Sequence, residues 1–164
     1  MKKRILSFVV VLAMIFFTMI PAGAETNIEE GTTANTTTNI YYEDGSYLTV
    51  GPVNVENISL GRSSIQQLKA SKPITYTNSS GTVEWEYVLH AEFTVVYGSD
   101  SYCLNTYYKQ NIYEGNWTFS DGNAYFSDNV ATGVGVYVKK FLGITTQTCN
   151  INTSLTCDVY GNIT

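Results

Sequence analysis

The chain has 164 residues, with 9 basic residues, 14 acidic residues, one histidine and a formal net charge of −5. Proteins that bind nucleic acid or an anionic membrane surface need clustered positive charge, which this chain lacks. We therefore expect no nucleic-acid partner and no membrane contact beyond export.

The amino terminus has the pattern of a secretory signal peptide. Basic residues Lys2–Arg4 precede an apolar run, Ile5–Ile20, and a Pro-Ala-Gly-Ala segment follows at 21–24. The run is short for a bilayer span of about 20 residues, and the A-x-A site is typical of signal peptidase cleavage. We predict cleavage before Glu25 and a secreted or cell-surface protein; an uncleaved anchor is the alternative. Without residues 1–24, six basic and fourteen acidic residues remain, a formal charge of −8.

Residues 25–40 are rich in Thr and Asn and offer almost nothing to bury, which predicts a disordered spacer. A single domain is predicted over residues 41–164, enough chain for one core. Its first strand lies near Tyr47–Val50 and ends at Gly51-Pro52, and Val53–Leu60 alternates again. Ser63–Ala70 fits a capped helical turn, or equally an irregular strand.

The stretch Val83–Tyr97 alternates between apolar residues at odd positions and mostly polar residues at even positions. This period of two is typical of a β-strand with one face on a core and the other toward water. A straight strand of this length would extend about 50 Å. We therefore expect a bulge or bend near Leu89–Ala91.

Turn sequences divide the rest of the chain into short strands. Gly98–Ser101 turns the chain back into Tyr102–Tyr108, in a register that the sequence leaves open. Further strands are predicted within 117–119, 129–140, 144–149 and 154–160, and Gly133 and Gly135 indicate a bulge or a close backbone approach. About eight short strands with at most one helical turn predict an all-β, antiparallel β-sandwich of immunoglobulin-like architecture.

Three cysteines, Cys103, Cys149 and Cys157, allow one disulfide in an oxidising compartment and leave one thiol. A Cys103–Cys157 bridge would close a 54-residue loop, worth about 4 kcal/mol in the chain-entropy model, whereas Cys149–Cys157 spans eight residues and gives about 2.5 kcal/mol. We predict the Cys103–Cys157 pair, with Cys149–Cys157 as the alternative. The spacings and the single histidine fit no zinc pattern, and we expect no metal or other cofactor.

A group of residues in the second half of the chain forms a further pattern. It consists of Trp85, Phe93-Thr94, Tyr97-Gly98, Cys103, Trp117, Leu155-Thr156-Cys157-Asp158 and Gly161-Asn162. Over residues 74–164 this pattern resembles a loose group of small secreted β-sandwich proteins of Gram-positive bacteria, of unknown function. In that group the middle and carboxy-terminal cysteines recur, which implies the Cys103–Cys157 pair and leaves Cys149 as an extra. The resemblance implies a fold and no activity.

Glu84, Glu86, His90 and Glu92 fall on one face of the long strand, about 7 Å apart at each step of two. Carboxylate pairs at such separations can serve glycoside hydrolysis, and His90 with Glu92 could begin a metal site. A solvated strand face, whose charges discourage aggregation, explains the same row, and we prefer this interpretation.

Asp121, Asn123, Asp128 and Asn129 offer oxygen ligands for Ca²⁺. Their spacing does not fit an EF-hand loop, and Asp-Gly-Asn is a common turn sequence. We prefer the turn interpretation.

The candidate ligand-binding residues are four aromatic side chains: Trp117, Tyr107, Tyr108 and Tyr113. If exposed together, they could stack on sugar rings or contact a protein; otherwise Trp117 packs in the core and the tyrosines decorate an edge. We predict a non-enzymatic exported module that acts by surface contact or adhesion on an extracellular protein or glycan. The alternatives are a carbohydrate-binding domain with an aromatic platform and a small glycoside hydrolase that uses the strand carboxylates.

Overall fold

The computed structural model describes residues 36–58 and 64–164, which form two antiparallel β-sheets packed face to face. The strands are β1 (Thr38–Tyr41), β2 (Tyr47–Val50), β3 (Asn54–Asn57), β4 (Ile65–Thr77), β5 (Val83–Val96), β6 (Asp100–Ile112), β7 (Trp117–Ser127), β8 (Val130–Phe141) and β9 (Ile144–Thr156). The predicted all-β sandwich is confirmed, with nine strands instead of about eight. The described residues contain no helix that could span a membrane.

The larger sheet has six strands, in the order β1-β2-β4-β5-β6, and β3 also pairs with β4. β2 and β3 lie one after the other along the same edge of β4, opposite Ile74–Thr77 and Leu68–Ser71 respectively. Gly51-Pro52 separates them, as the sequence predicts, and the Gly51 amide donates to the Pro73 carbonyl at 2.8 Å. The smaller sheet is the consecutive meander β7-β8-β9.

β5 lies between β4 and β6 and carries the centre of the core. Its alternating apolar residues are buried, as predicted: Trp85, Tyr87, Leu89, Ala91, Phe93 and Val95. The bulge expected near Leu89–Ala91 is absent from the β4–β5 ladder, which is regular from Val96 to Trp85. The irregularities lie instead at Glu84 in β5 and at Leu104 in β6, where each residue has no partner across the ladder.

Two glycines let the sheets approach each other closely. A Cβ atom on Gly133 would lie 2.6 Å from the Tyr87 Oη, and one on Gly135 would lie 3.2 Å from the Tyr87 ring. Beside them the Trp85 ring stacks on Tyr137, with centroids 3.9 Å apart. The close approach predicted at these glycines is therefore confirmed, and aromatic rings of β5 fill the space.

Several sequence expectations change in detail. Within Ser63–Ala70, Ile65–Ala70 belongs to β4, so the strand alternative is confirmed there and the helical turn is wrong. β1 begins at Thr38, so the last residues of the predicted spacer belong to the sheet. In the hairpin, Phe93 pairs with Cys103, which places this thiol on the core side. The predicted signal peptide, 1–24, lies outside the described residues, as do residues 25–35 of the spacer.

Candidate ligand-binding face

Two of the four candidate aromatic residues belong to the interior. Trp117 is 5% exposed, and its Nε1 donates to Glu84 Oε2 at 2.6 Å. Tyr108 packs between the sheets, where its ring stacks on Tyr87 and contacts Phe119. Neither side chain can contribute to an exposed platform.

The other two candidates are exposed but lie apart. Tyr107 stacks on His90, with centroids 4.7 Å apart and planes within 8°. Tyr113 lies beyond the end of β6 and donates its hydroxyl to Glu86 Oε2 at 3.0 Å. The predicted four-residue platform is therefore not assembled. Adjacent residues of a strand point to opposite faces, so Tyr107 and Tyr108 cannot share one.

The outer face of the six-stranded sheet carries most of the predicted polar row. Glu86, His90 and Glu92 lie there between exposed neighbours on β4 and β6. Glu84 leaves the row, because the pairing of β4 and β5 skips it and it turns inward. The three carboxylates proposed for hydrolysis therefore do not share a face.

Glu84 is instead the centre of a polar network that joins the two sheets. Its carboxylate accepts hydrogen bonds from Trp117, from Lys139 Nζ at 2.9 Å and from Asn78 Nδ2 at 3.2 Å. Burial alone would raise the pKa of Glu84, but these hydrogen bonds together with the Lys139 charge outweigh burial and lower it. Glu84 is thus an ionised structural anchor at neutral pH.

A shallow groove of about 330 Å³ crosses the outer face between β3 and Tyr107. Polar groups from three strands line it together with the Tyr107 ring. They are Asn54 and Glu56 from β3, Lys69 and Ser71 from β4, and His90 and Glu92 from β5. Lys69 and Glu92 form an ion pair at 3.4 Å, and both side chains are at least one-third exposed.

The His90–Tyr107 pair gives the groove an uncharged aromatic wall at neutral pH. Burial lowers the pKa of His90 below 6.5, and the positive charge of Lys109 lowers it further. The Lys109 Nζ also lies 6.0 Å from the centroid of the Tyr107 ring. A neutral plate beside hydroxyl, amide, carboxylate and ammonium groups can stack on a planar or ring-shaped ligand and bind its polar substituents.

Sequence reasoning found His90, Glu92 and Tyr107 but missed their neighbours on β3 and β4. Lys69 and Ser71 lie opposite Glu92 and His90 in the ladder. The signal that could have found them is the alternation of Leu68 to Ser71, which fits a strand as well as a helical turn.

A second depression, of about 340 Å³, lies on the outer face of the three-stranded sheet and includes Asp121 and Asn123. The side-chain oxygen of each already accepts a hydrogen bond from the next backbone amide. Asp128 and Asn129 lie in the β7–β8 turn instead, and Asn129 Nδ2 donates to the Cys157 carbonyl. No group of three His, Cys, Asp or Glu side chains that could hold a metal ion occurs among residues 36–58 and 64–164.

All three cysteines are buried free thiols. Burial raises the pKa of Cys149 and of Cys157 to about 11, and it also raises the pKa of Cys103. A thiol with a raised pKa is a poor nucleophile at neutral pH, so these side chains act as small apolar groups.

The disulfide predicted between Cys103 and Cys157 is not formed in the structure. The two residues do lie at the same end of the sandwich, since their amides donate to the carbonyls of the β7–β8 turn, Asp128-Asn129. The Cys103 thiol points to the Asn105 carbonyl at 3.4 Å, and the Cys157 thiol to the carbonyl of Asp158 at 3.5 Å. Each thiol thus has a backbone carbonyl close to it in sequence as its hydrogen-bond partner.

A group of exposed apolar side chains lies in the β8–β9 turn, at the opposite end of β8 from the β7–β8 turn. Phe141, Leu142 and Ile144 are 65%, 87% and 70% exposed. Leu142 has φ = 51° and Gly143 has φ = 81°, which is typical of a two-residue hairpin turn. The apolar side chains of this turn are exposed and do not pack in the core.

No protein-family model, curated protein or solved structure matched this chain in comparisons of its sequence and fold.

Proposed function

We propose that the chain is a non-enzymatic binding module that acts by surface contact. The observation that carries the proposal is the groove on the outer face of the six-stranded sheet, with its aromatic wall and polar lining. The groove is open and shallow, and its charged groups are solvated, which suits recognition of a ligand better than a reaction that requires exclusion of water.

The second candidate function is carbohydrate binding, and the His90–Tyr107 stack favours it. Sugar rings present an apolar face that packs on an aromatic plate, and hydroxyls that exchange hydrogen bonds with groups such as Ser71, Glu92 and Asn54. The platform differs from the predicted one, since of the four candidate residues only Tyr107 borders this groove. The alternative ligand is a protein surface of matching polarity.

Glycoside hydrolysis has less support. A catalytic pair requires two carboxyl groups that converge from opposite sides of the scissile bond. Glu84 is buried against Trp117 and Lys139, while Glu86 and Glu92 lie six residues apart along β5 on an open face, about 20 Å from each other. A general acid needs a raised pKa, whereas the hydrogen bonds to Glu84 and the Lys139 charge outweigh burial and lower the pKa of Glu84.

We also propose export, on the basis of the amino-terminal pattern of residues 1–24. The strands described here all lie after residue 37, so removal of 1–24 deletes none of them. The mature form, residues 25–164, is the form to assay.

A glycan array probed with residues 25–164 tests the binding function. Retention of a sugar by the wild type, loss on Tyr107→Ala and retention by Tyr125→Ala would support the groove as a sugar site. Tyr125 is a matched control, because it is 51% exposed on the other sheet. Binding that Tyr107→Ala leaves unchanged would refute the groove as the site. Turnover of a glycoside substrate that Glu86→Gln abolishes would refute the non-enzymatic function.

A further inference from the structure

Strand β9 forms an edge of the three-stranded sheet and lacks the features that usually protect an edge. It pairs with β8, and among the described residues no second strand lies beside it. Its sequence, Ile144–Thr156, contains no charged residue, no proline and no glycine. Natural edge strands are normally short or interrupted by charges, prolines or bulges, because an open ladder pairs readily with another chain.

The other edges of the two sheets are protected in these ways. β1 is four residues long. β6 carries Asp100 and Lys109 and is bulged at Leu104, and β7 carries Asp121 and is bulged at Ser120. β9 has one irregularity, at Thr146, and its pairing with β8 is regular from Gln147 to Thr156. The segment of β9 from Gln147 to Thr156 therefore has none of these protective features.

The backbone groups that face the open edge can be identified from the end of the strand. Thr156 exchanges two backbone hydrogen bonds with Thr164, at 2.9 and 3.0 Å, whereas the Cys157 amide donates toward β8, to Asn129. Successive residues of a strand point their N–H and C=O groups to opposite edges. The open edge is therefore lined by the backbone groups of alternate residues, namely Thr148, Asn150, Asn152 and Ser154.

The short pairing with Thr164 shows that this edge accepts an antiparallel strand. Thr164 occupies the edge of β9 only at Thr156, and no other described residue pairs with the run from Thr148 to Ser154. Thr148, Asn150 and Asn152 are exposed, and Ser154 is partly exposed.

We propose that β9 pairs with β9 of a second copy of this chain, antiparallel and about a two-fold axis at Ile151. In this register Asn150 lies opposite Asn152 of the partner subunit, Thr148 lies opposite Ser154 of the partner subunit, and each pair exchanges two backbone hydrogen bonds. Two copies with an excess of acidic residues repel each other over most of their surface, so they would meet where neither carries charge, and β9 is uncharged along its whole length. The pairing ends at the bulge of Thr146. In this register Thr146 would lie opposite Thr156 of the partner subunit, where Thr164 already occupies the edge.

Charge substitutions at the paired asparagines test the proposal by sedimentation velocity on residues 25–164. The wild type is expected to form a concentration-dependent dimer. N150K/N152K and N150D/N152D place like charges opposite each other at both central pairs, and each variant should weaken the dimer about tenfold or more. An equimolar mixture of the two variants should restore dimerisation, because Lys then faces Asp at each pair.

The control T118K/S120K adds the same charge to exposed positions of β7, the opposite edge of this sheet, and should dimerise like the wild type. Restoration in the mixture also shows that both charged variants are folded. A wild type that stays monomeric at all concentrations would overturn the proposal, and so would a dimer that N150K/N152K leaves intact.

Discussion

Replacement of Glu84 by glutamine tests the polar network that joins the two sheets. The glutamine side chain has nearly the same shape and keeps an acceptor for Trp117 Nε1, but it removes the negative charge that Lys139 contacts at 2.9 Å. Glu84 comes from β5, whereas Trp117 and Lys139 come from β7 and β8. The substitution therefore weakens a connection between the sheets without creating a cavity.

The expected loss of stability follows from burial. Removal of one partner from a fully buried ion pair typically costs about 3–5 kcal/mol. The Glu84 side chain is 9% exposed, but the Lys139 side chain is 28% exposed and can regain water after the charge is lost. We therefore expect Glu84→Gln to lower the free energy of unfolding by about 2–3 kcal/mol at neutral pH.

The pH dependence gives a second test of the same network. The pKa of Glu84 is lowered from 4.5 in the folded state, so its contribution is present above the unfolded-state pKa and is lost as the pH falls through the folded-state value. The difference between wild type and Glu84→Gln should therefore shrink on acidification. Urea unfolding followed by tryptophan fluorescence measures both quantities.

Glu92→Gln is the matched control, because the Glu92–Lys69 pair is solvated and should contribute about 0–1 kcal/mol. Equal stability of Glu84→Gln and the wild type at neutral pH would refute the reasoning. A difference that persists unchanged in acid would refute the assignment of an ionised carboxylate.

Three further predictions concern the core, the groove and the thiols. Gly133→Ala should destabilise the fold by about 1–3 kcal/mol, since its Cβ would lie 2.6 Å from the Tyr87 Oη; wild-type stability in urea would contradict the close packing. The His90 ring should titrate below pH 6.5 by NMR, and Lys109→Ala should raise its midpoint, whereas a midpoint above 6.5 would contradict the partly buried stack. The folded protein should show no thiol reactive to a disulfide reagent at neutral pH and three in denaturant; a count of one in denaturant would restore the predicted disulfide.

The sequence predicted the parts of the fold that depend on regular alternation. In β5 the alternating apolar residues from Trp85 to Val95 face the core, because regular pairing with β4 leaves no freedom of register there. Alternation failed at Glu84, where a single unpaired residue reverses the face, and a local pattern carries no sign of that event. The groove could be predicted only in part, since Asn54 and Ser71 join it through the pairing of β3 with β4.

An NMR titration tests the proposed binding face most directly. Uniformly ¹⁵N-labelled residues 25–164 would be titrated in turn with cello-, xylo- and chito-oligosaccharides. The account predicts that at least one of these shifts amide signals in a contiguous group around Ser71, His90 and Tyr107, and that Tyr107→Ala abolishes the shifts. Shifts confined to another surface, such as the β8–β9 turn, would contradict the groove as the binding site, and no shifts with any of the three would contradict its recognition of such sugars.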